Sequence, residues 1–283
     1  MAQEKYEYES KTDLKDDSRV HFNIPASIIL NNDAGKKRIA VFSFFSVYKG
    51  LNNKLFLSVN CLAEWTGKIP DRHKNGVNGK LIESIEWLKK NEYINYSEIA
   101  KHDSCMEVSF NSQKIIEECN CDRFALIYLD ELKKIFNYQN PNSKDTSLSS
   151  DNILIVFAYL RMMIYRRKNK VLPEKANCSI EDIKAESTDV YNSYYKEIAN
   201  NLNLSTNTIS KIVDVLNELG LIYSEPLSRT KCDEKGEKWL TNHTLFCNFY
   251  KRENTYLYNS GENYYTTEIE NKKKILNKIM KNN

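Results

Sequence analysis

Four residues in "STNTISKIVDVLNELG", Thr206, Asn207, Ser210 and Lys211, combine types and spacing that suit the reading of a nucleic acid. Spaced one, three and four apart, they fall on one face of a helix. The amide of Asn207 can pair bidentately with adenine, and the hydroxyls of Thr206 and Ser210 reach base edges or phosphate. Lys211 neutralises a backbone charge. Ser205 is a good N-cap for this helix, and with Thr208 it completes a hydroxyl-rich first turn. A helix N-terminus also favours a phosphate in its own right.

Three further groups offer similar chemistry. "KIPDRHKNGVNGK", Lys68 to Lys80, concentrates Arg72, His73, Lys74, Asn75, Asn78 and Lys80 with only Asp71 opposing, and Gly76 and Gly79 let a backbone approach phosphates closely. It reads equally as a flexible, solubilising loop, and its two glycines argue against regular helix. Arg166, Arg167 and Lys168 end the apolar stretch "NILIVFAYLRMMIYRRK", where they either flank DNA or complement a helix C-terminus. Arg229 and Lys231 stand near the turn "RTKCDEKGEKW", whose Asp233, Glu234 and Glu237 limit them to weak phosphate contact.

Catalytic patterns are missing. The eight glycines form no phosphate-cradling G-x-x-x-x-G-K-[ST], and neither H-E-x-x-H nor G-x-S-x-G occurs. Tyr165 and Lys168 match a Tyr-x-x-Lys nuclease motif, but His21, His73, His102 and His243 are isolated, so its metal has no ligands. Tyr165 is read as an ordinary helix residue. Cys119 and Cys121 form a bare C-x-C, a poor metal signature. The expectation is a binding protein with no catalytic residues, metal or cofactor.

The elements that must position these residues follow from periodicity. Upstream of Ser205, Ile198 and Leu202 face inward, Ala199 is the small residue where two helices cross, and Asn203 tolerates the positive φ of a tight turn. Ile209, Ile212, Val213, Leu216 and Leu219 make the buried stripe of the second helix, Gly220 ends it, and "LIYSEPL" with "HTLFCNFYK" gives two wing strands. The first half has the same order. "AVFSFFSVYKG" is a buried helix, "NKLFLSVNCLAEWTG" a strand and a helix ending at Gly67, "GKLIESIEWLKKNEYINYSEI" an amphipathic helix running into a strand near Tyr93, and "CMEVSFNS" a second strand. Ala63 and Gly67 match Ala199 and Asn203, but the first turn is about eight residues longer. Trp65 and Trp87 fall on apolar stripes and are read as core.

These patterns predict a mainly α fold with small β wings, an α+β class built as two tandem winged-helix domains. The expected boundaries are 1–19 for an acidic leader, 20–115 and 116–255 for the two domains, and 256–283 for a polar tail with a short basic helix, Ile269 to Met280. "NYQNPNSKDTSLSSDN" reads as a surface loop, and "EKANCSIEDIKAESTDVYNS" as an insertion or an extra helix. Charged residues are 28% and the formal net charge is +3, so the placing of charge matters more than its sum. With no signal peptide, no apolar run near 18 residues and seven scattered cysteines, a cytoplasmic protein with no membrane partner is expected.

The duplicated winged helix, the opening "FNIP", "FALIYLDELKKIF" at the head of the second half and the "W-T-G-x-x-P-D-R" turn resemble replication initiation proteins of bacterial plasmids and mobile elements. Over roughly residues 20 to 250 they are also distantly similar to winged-helix domains of helicase-loader proteins. The resemblance implies sequence-specific binding to repeated origin sites on double-stranded DNA, the two domains on successive major grooves, and partners that include a second copy of the chain and host replication proteins. It carries DNA contact onto Asn207, Ser210 and Lys211, and more loosely onto Arg72 to Lys80. A winged-helix transcriptional regulator and a replication adaptor that leaves DNA untouched are the alternatives.

Overall fold

The structure, a computed structural model, describes residues 20–248 apart from 36, 72, 74, 100, 122, 142–144, 165–189 and 233–237. The leader, the 256–283 tail where a basic helix is expected, and Tyr165, Arg166, Arg167 and Lys168 therefore lie outside the described residues. The class is α+β, helices with small antiparallel sheets. No helix among the described residues is long and apolar enough to cross a membrane.

The chain divides into two compact units. One holds Arg19–Met163 with Ile198–Val215, and the other draws on Ile164–Glu197 and Leu216–Asn283. The larger unit is organised around two helices that are apolar on nearly every side. In α2 (Arg38–Tyr48) every residue from Arg38 to Phe45 is buried, and in α7 (Ser150–Met163) every residue from Asn152 to Met162. A helix apolar all round has no solvent face to present, so other elements must cover it. Two short strands, β1 (His21–Pro25) and β5 (Phe124–Tyr128), do part of this and share one alternation of burial. Phe42, Phe45 and Phe157 are fully buried, each contributing about 2–3 kcal/mol of apolar transfer.

The two opening segments that head the halves of the sequence pair with each other. β1 and β5 run antiparallel, His21 opposite Tyr128 and Pro25 opposite Phe124. Since Pro25 and Tyr128 each directly precede a helix, α1 (Ala26–Ile29) and α6 (Leu129–Asn137), the ribbon joins like to like around its middle pair, Asn23 and Leu126.

From these strands the chain passes twice through one series. The first pass is β1, α1, a 3-10 turn Asn32–Ala34, α2, β2 (Lys54–Leu57), α3 (Val59–Trp65), α4 (Val77–Lys90), β3 (Ile94–Tyr96) and β4 (Met106–Phe110). The joint expected near Asn111 to Arg123 is a helix, α5 (Ser112–Cys121). The second pass is β5, α6, a 3-10 turn Thr146–Leu148, α7, β6 (Val190–Tyr194), α8 (Tyr195–Leu202), α9 (Thr206–Glu218), β7 (Ile222–Cys232) and β8 (Lys238–Asn248). The sheets agree in order, β2-β4-β3 and β6-β8-β7, all antiparallel. β6 takes up the last residues of the stretch read as an insertion, the rest of which lies outside the described residues, and the first two of the expected short helix. In "VYNSY" Ser193 is buried and its hydroxyl donates to Glu197 at 2.6 Å, so this inward position lacks the aliphatic signature of a strand.

Buried charges fix the larger unit. Arg38 gives Nε to the Ile28 carbonyl at 2.6 Å, Nη2 to that of Ile29 at 2.7 Å and Nη1 to that of Gly35 at 2.7 Å, so it caps the carbonyl end of α1. Burial pushes its guanidinium down to about 10, and it stays charged at neutral pH. In the second pass Arg161 donates to Glu131 at 2.8 Å, with both side chains almost wholly buried, and the other oxygen of Glu131 accepts from the Tyr128 amide.

Candidate nucleic-acid interface

The turn between α8 and α9 is built by the residues the sequence singled out. Asn203 takes φ 50°, and the next amide, Leu204, donates to the Ala199 carbonyl at 3.0 Å. Ala199 is buried, as are Ile198 and Leu202. Ser205 accepts from the Thr208 amide at 3.0 Å, which satisfies one of the four donors that a helix start leaves over. Ile209, Ile212, Val213 and Leu216 are fully buried, while Leu219 is half-buried. Gly220 takes φ 62° and the Leu221 amide returns to the Leu216 carbonyl at 2.9 Å, closing the helix.

What remains outward on α9 is the expected set. Ser205, Thr206 and Asn207 are exposed, and Thr208, Ser210 and Lys211 half-exposed. The amides of Thr206 and Asn207 open the helix, so donors, hydroxyls and one carboxamide meet at its N-terminal end. Lys211 does not stand alone. Its ammonium lies 2.7 Å from the Asp145 carboxylate, in the stretch read from sequence as a mere surface loop. Lys211 and two bonds from Ser147 hold that carboxyl at about 2, well below its usual range. No sequence rule pairs positions 66 apart, and the only hint was a turn-forming Asp.

The turn between α3 and α4 repeats the first backbone in detail. Gly67 takes φ 71°, and the Lys68 amide donates to the Ala63 carbonyl at 3.0 Å. At the far end Glu92 takes φ 59° and the Tyr93 amide donates to the Leu88 carbonyl at 3.0 Å. Ala63 and Ala199 stand 136 positions apart and Leu88 and Leu216 stand 128 apart, so the first turn is eight residues longer, as its sequence suggested.

The chemistry of that longer turn differs from expectation. The helix begins at Val77, so Gly79 and Lys80 are helical, a correction to the irregular loop read from the two glycines. Asn78 does not face solvent. It is fully buried, its Nδ2 donates to Asn60 at 2.7 Å and lies 3.2 Å from His102 Nδ1, and it ties α3, α4 and the β3–β4 connection together. Asp71 is no bystander: its carboxylate accepts from the His73 amide at 3.1 Å and the Val77 amide at 2.7 Å, filling the helix start where a phosphate would sit. His73, Asn75 and Lys80 are exposed, whereas Arg72 and Lys74 lie outside the described residues. The outer face of α4 carries Lys80, Glu83, Glu86 and Lys90, all exposed, with an acid where α9 has Lys211.

The other named residues fall elsewhere. Arg229 and Lys231 belong to β7, opposite Thr241 and Trp239, rather than to a loop tip. Trp65 and Trp87 are half-buried packing residues. Trp65 meets Phe44 and Phe136 edge-on at 5.2 and 5.0 Å and donates to the Tyr48 hydroxyl at 3.0 Å, and Trp87 stacks on Tyr93 at 5.9 Å. Cys119 lies beside Glu118, and burial pushes its thiol up to about 12, the opposite of a reactive cysteine. Among the described residues no three His, Cys, Asp or Glu side chains gather as metal ligands would. No family model matches the chain, and no curated protein matches it.

Proposed function

We propose that this chain is a sequence-specific double-stranded DNA-binding protein made of two tandem winged-helix units, 20–115 and 116–255. Its role is that of a replication initiator on the origin repeats of a plasmid, phage or other mobile element. It works by binding, not by catalysis, and needs no cofactor. One observation carries the DNA reading: α9 is fixed by a capped, positive-φ turn and a buried stripe, while Thr206, Asn207, Ser210 and Lys211 stay on its outer face. A rigid helix with a polar N-terminal face is what the major groove admits. The twofold passage through one element series supports the tandem arrangement, and the replication role rests on that duplication with the resemblance given above.

In this reading α9 reads base edges, while the first unit adds backbone contact from its longer turn, because the balanced face of α4 offers a groove little net charge. A gel shift with total plasmid DNA across a salt series tests it. The expected result is a retarded, sequence-restricted complex whose affinity falls as salt rises, footprinted on direct repeats. Asn207→Ala with Lys211→Ala removes specific binding and leaves the thermal melt unchanged. No binding below about 10 µM at low salt, where nonspecific contacts are at their strongest, refutes the DNA reading in favour of an adaptor. A footprint on one palindrome upstream of a gene refutes only the replication role.

A further inference from the structure

The one cation that α9 itself carries is already paired with another group of this chain. α9 contains one Lys and no Arg, against Asp214 and Glu218, so Lys211 is its whole supply of positive charge. Asp145 Oδ2 accepts from Lys211 Nζ at 2.7 Å. That carboxylate is itself held: its Oδ1 accepts from the Ser147 amide at 3.0 Å and from the Ser147 hydroxyl, and the Asp145 carbonyl accepts from Asn140 Nδ2 at 2.7 Å. The geometry is that of a fixed acid opposite a flexible base. The lysine side chain is 43% exposed and the aspartate 20%, so an incoming phosphate can reach the ammonium while the carboxylate remains beside it.

We infer that Asp145 is a selectivity device, a positioning residue that neutralises and restrains Lys211 so that α9 holds DNA of arbitrary sequence poorly. The inference rests on the DNA-binding reading above. The phosphate backbone supplies essentially all of nonspecific affinity, through release of condensed counterions. A lysine already paired with a carboxylate releases fewer of them, and the carboxylate repels the same phosphates. What remains on the face is the hydrogen-bonding of Asn207, Thr206 and Ser210, which depends on base edges. Asp145 thus lowers binding to all DNA, and base-edge contacts decide which sequences recover it.

Fluorescence anisotropy with a random-sequence duplex, from 50 to 400 mM salt on the full chain, tests the inference. Asp145→Asn keeps an oxygen for the Ser147 amide, and Asp145→Ser serves as a second variant with a short capping oxygen. Either is expected to bind random duplex more tightly, with a plot of log affinity against log salt steeper by about 0.9, the value of one added phosphate contact. Between 50 and 200 mM this is an extra loss of about three- to fourfold. In a Lys211→Met background the same substitutions should leave the slope unchanged. An unaltered slope in both single variants, with folded melts, overturns the inference alone, and so does an equal steepening without Lys211, which would reduce Asp145 to a general field. If the wild-type chain and both variants bind neither random nor plasmid DNA, the DNA-binding reading and the inference fall together.

Discussion

Gly76→Ala isolates the device that starts α4. A Cβ at this position would lie 1.8 Å from Asp71 Oδ1 and 2.3 Å from both Cγ and Oδ2, so the carboxylate must swing away. The backbone does not resist, since Gly76 is extended, with φ −83°. The loss is therefore that of two bonds from Asp71, to the amides of His73 and Val77, at a helix start where negative charge is favourable. Losing a cap of this kind costs about 1–2 kcal/mol, and the lower chain entropy of Ala in the unfolded state returns about 0.4–1 kcal/mol. A net destabilisation of about 1 kcal/mol follows, a drop of about 2–4 °C in a thermal melt. The control decides the mechanism. In an Asp71→Ala background the clash is gone, so Gly76→Ala should reverse sign and stabilise by about 0.4–1 kcal/mol. An equal destabilisation in both backgrounds, by melt and by urea unfolding, would refute Asp71 as the cap.

Other perturbations probe the frame around α9. Glu131→Ala leaves Arg161 buried without its carboxylate, and the expected loss is about 3–5 kcal/mol by urea unfolding; a loss under about 1 kcal/mol, the value of a surface pair, would refute the buried pair. Glu92→Gly relieves a bulky residue at φ 59° and should stabilise by about 0.5–1 kcal/mol, with a smaller gain for Asn203→Gly because Asn already tolerates that region; destabilisation by Glu92→Gly contradicts the strain. Asp145 is held at about 2 against an ordinary 3.8, a depressed carboxylate, so its pairing supports the fold above pH of about 4 and is lost as pH falls toward about 2. Wild-type chain should lose stability across that window more steeply than Asp145→Asn in acid titration followed by circular dichroism, and parallel curves contradict it.

The helix-turn-helix was legible in sequence because each of its requirements is local. A small residue, a residue tolerant of positive φ, a capping serine and a stripe of period 3.6 all lie within about two dozen positions, and Ala199, Asn203, Ser205 and the Ile209–Leu216 stripe satisfy them as read. What escaped depends on distance along the chain. The Asp145–Lys211 pair spans 66 positions, and Asn78 looked like a surface donor because its partners Asn60 and His102 are remote. β6 escaped partly for the same reason, since it pairs with β8 farther along the chain, and partly because its own positions are polar enough to read as loop.

The positive-φ positions bear on the proposed tandem arrangement more closely than element order does. Each helix pair needs the left-handed region twice, once in the turn and once after the second helix. The first pass meets these needs with Gly67 and Glu92, and the second with Asn203 and Gly220. Each position is followed by an amide that returns five residues, to Ala63, Leu88, Ala199 and Leu216 in turn. Glycine thus changes place between the two passes while the backbone takes the same turn in each, so the demand comes from the turn and not from either local sequence. The outer faces of α4 and α9 are under no such demand, and there the two passes differ. Position for position, α4 sets Glu83 where α9 sets Lys211, and α4 has an acid from its own turn, Asp71, over its first amide. On the DNA-binding reading proposed above, the face of α9 would meet base edges, while a polyanion would gain little from the face of α4. It follows that Glu83→Lys in α4 should raise affinity for random duplex more than any single neutral substitution on that face, as each added cation contributes one phosphate contact.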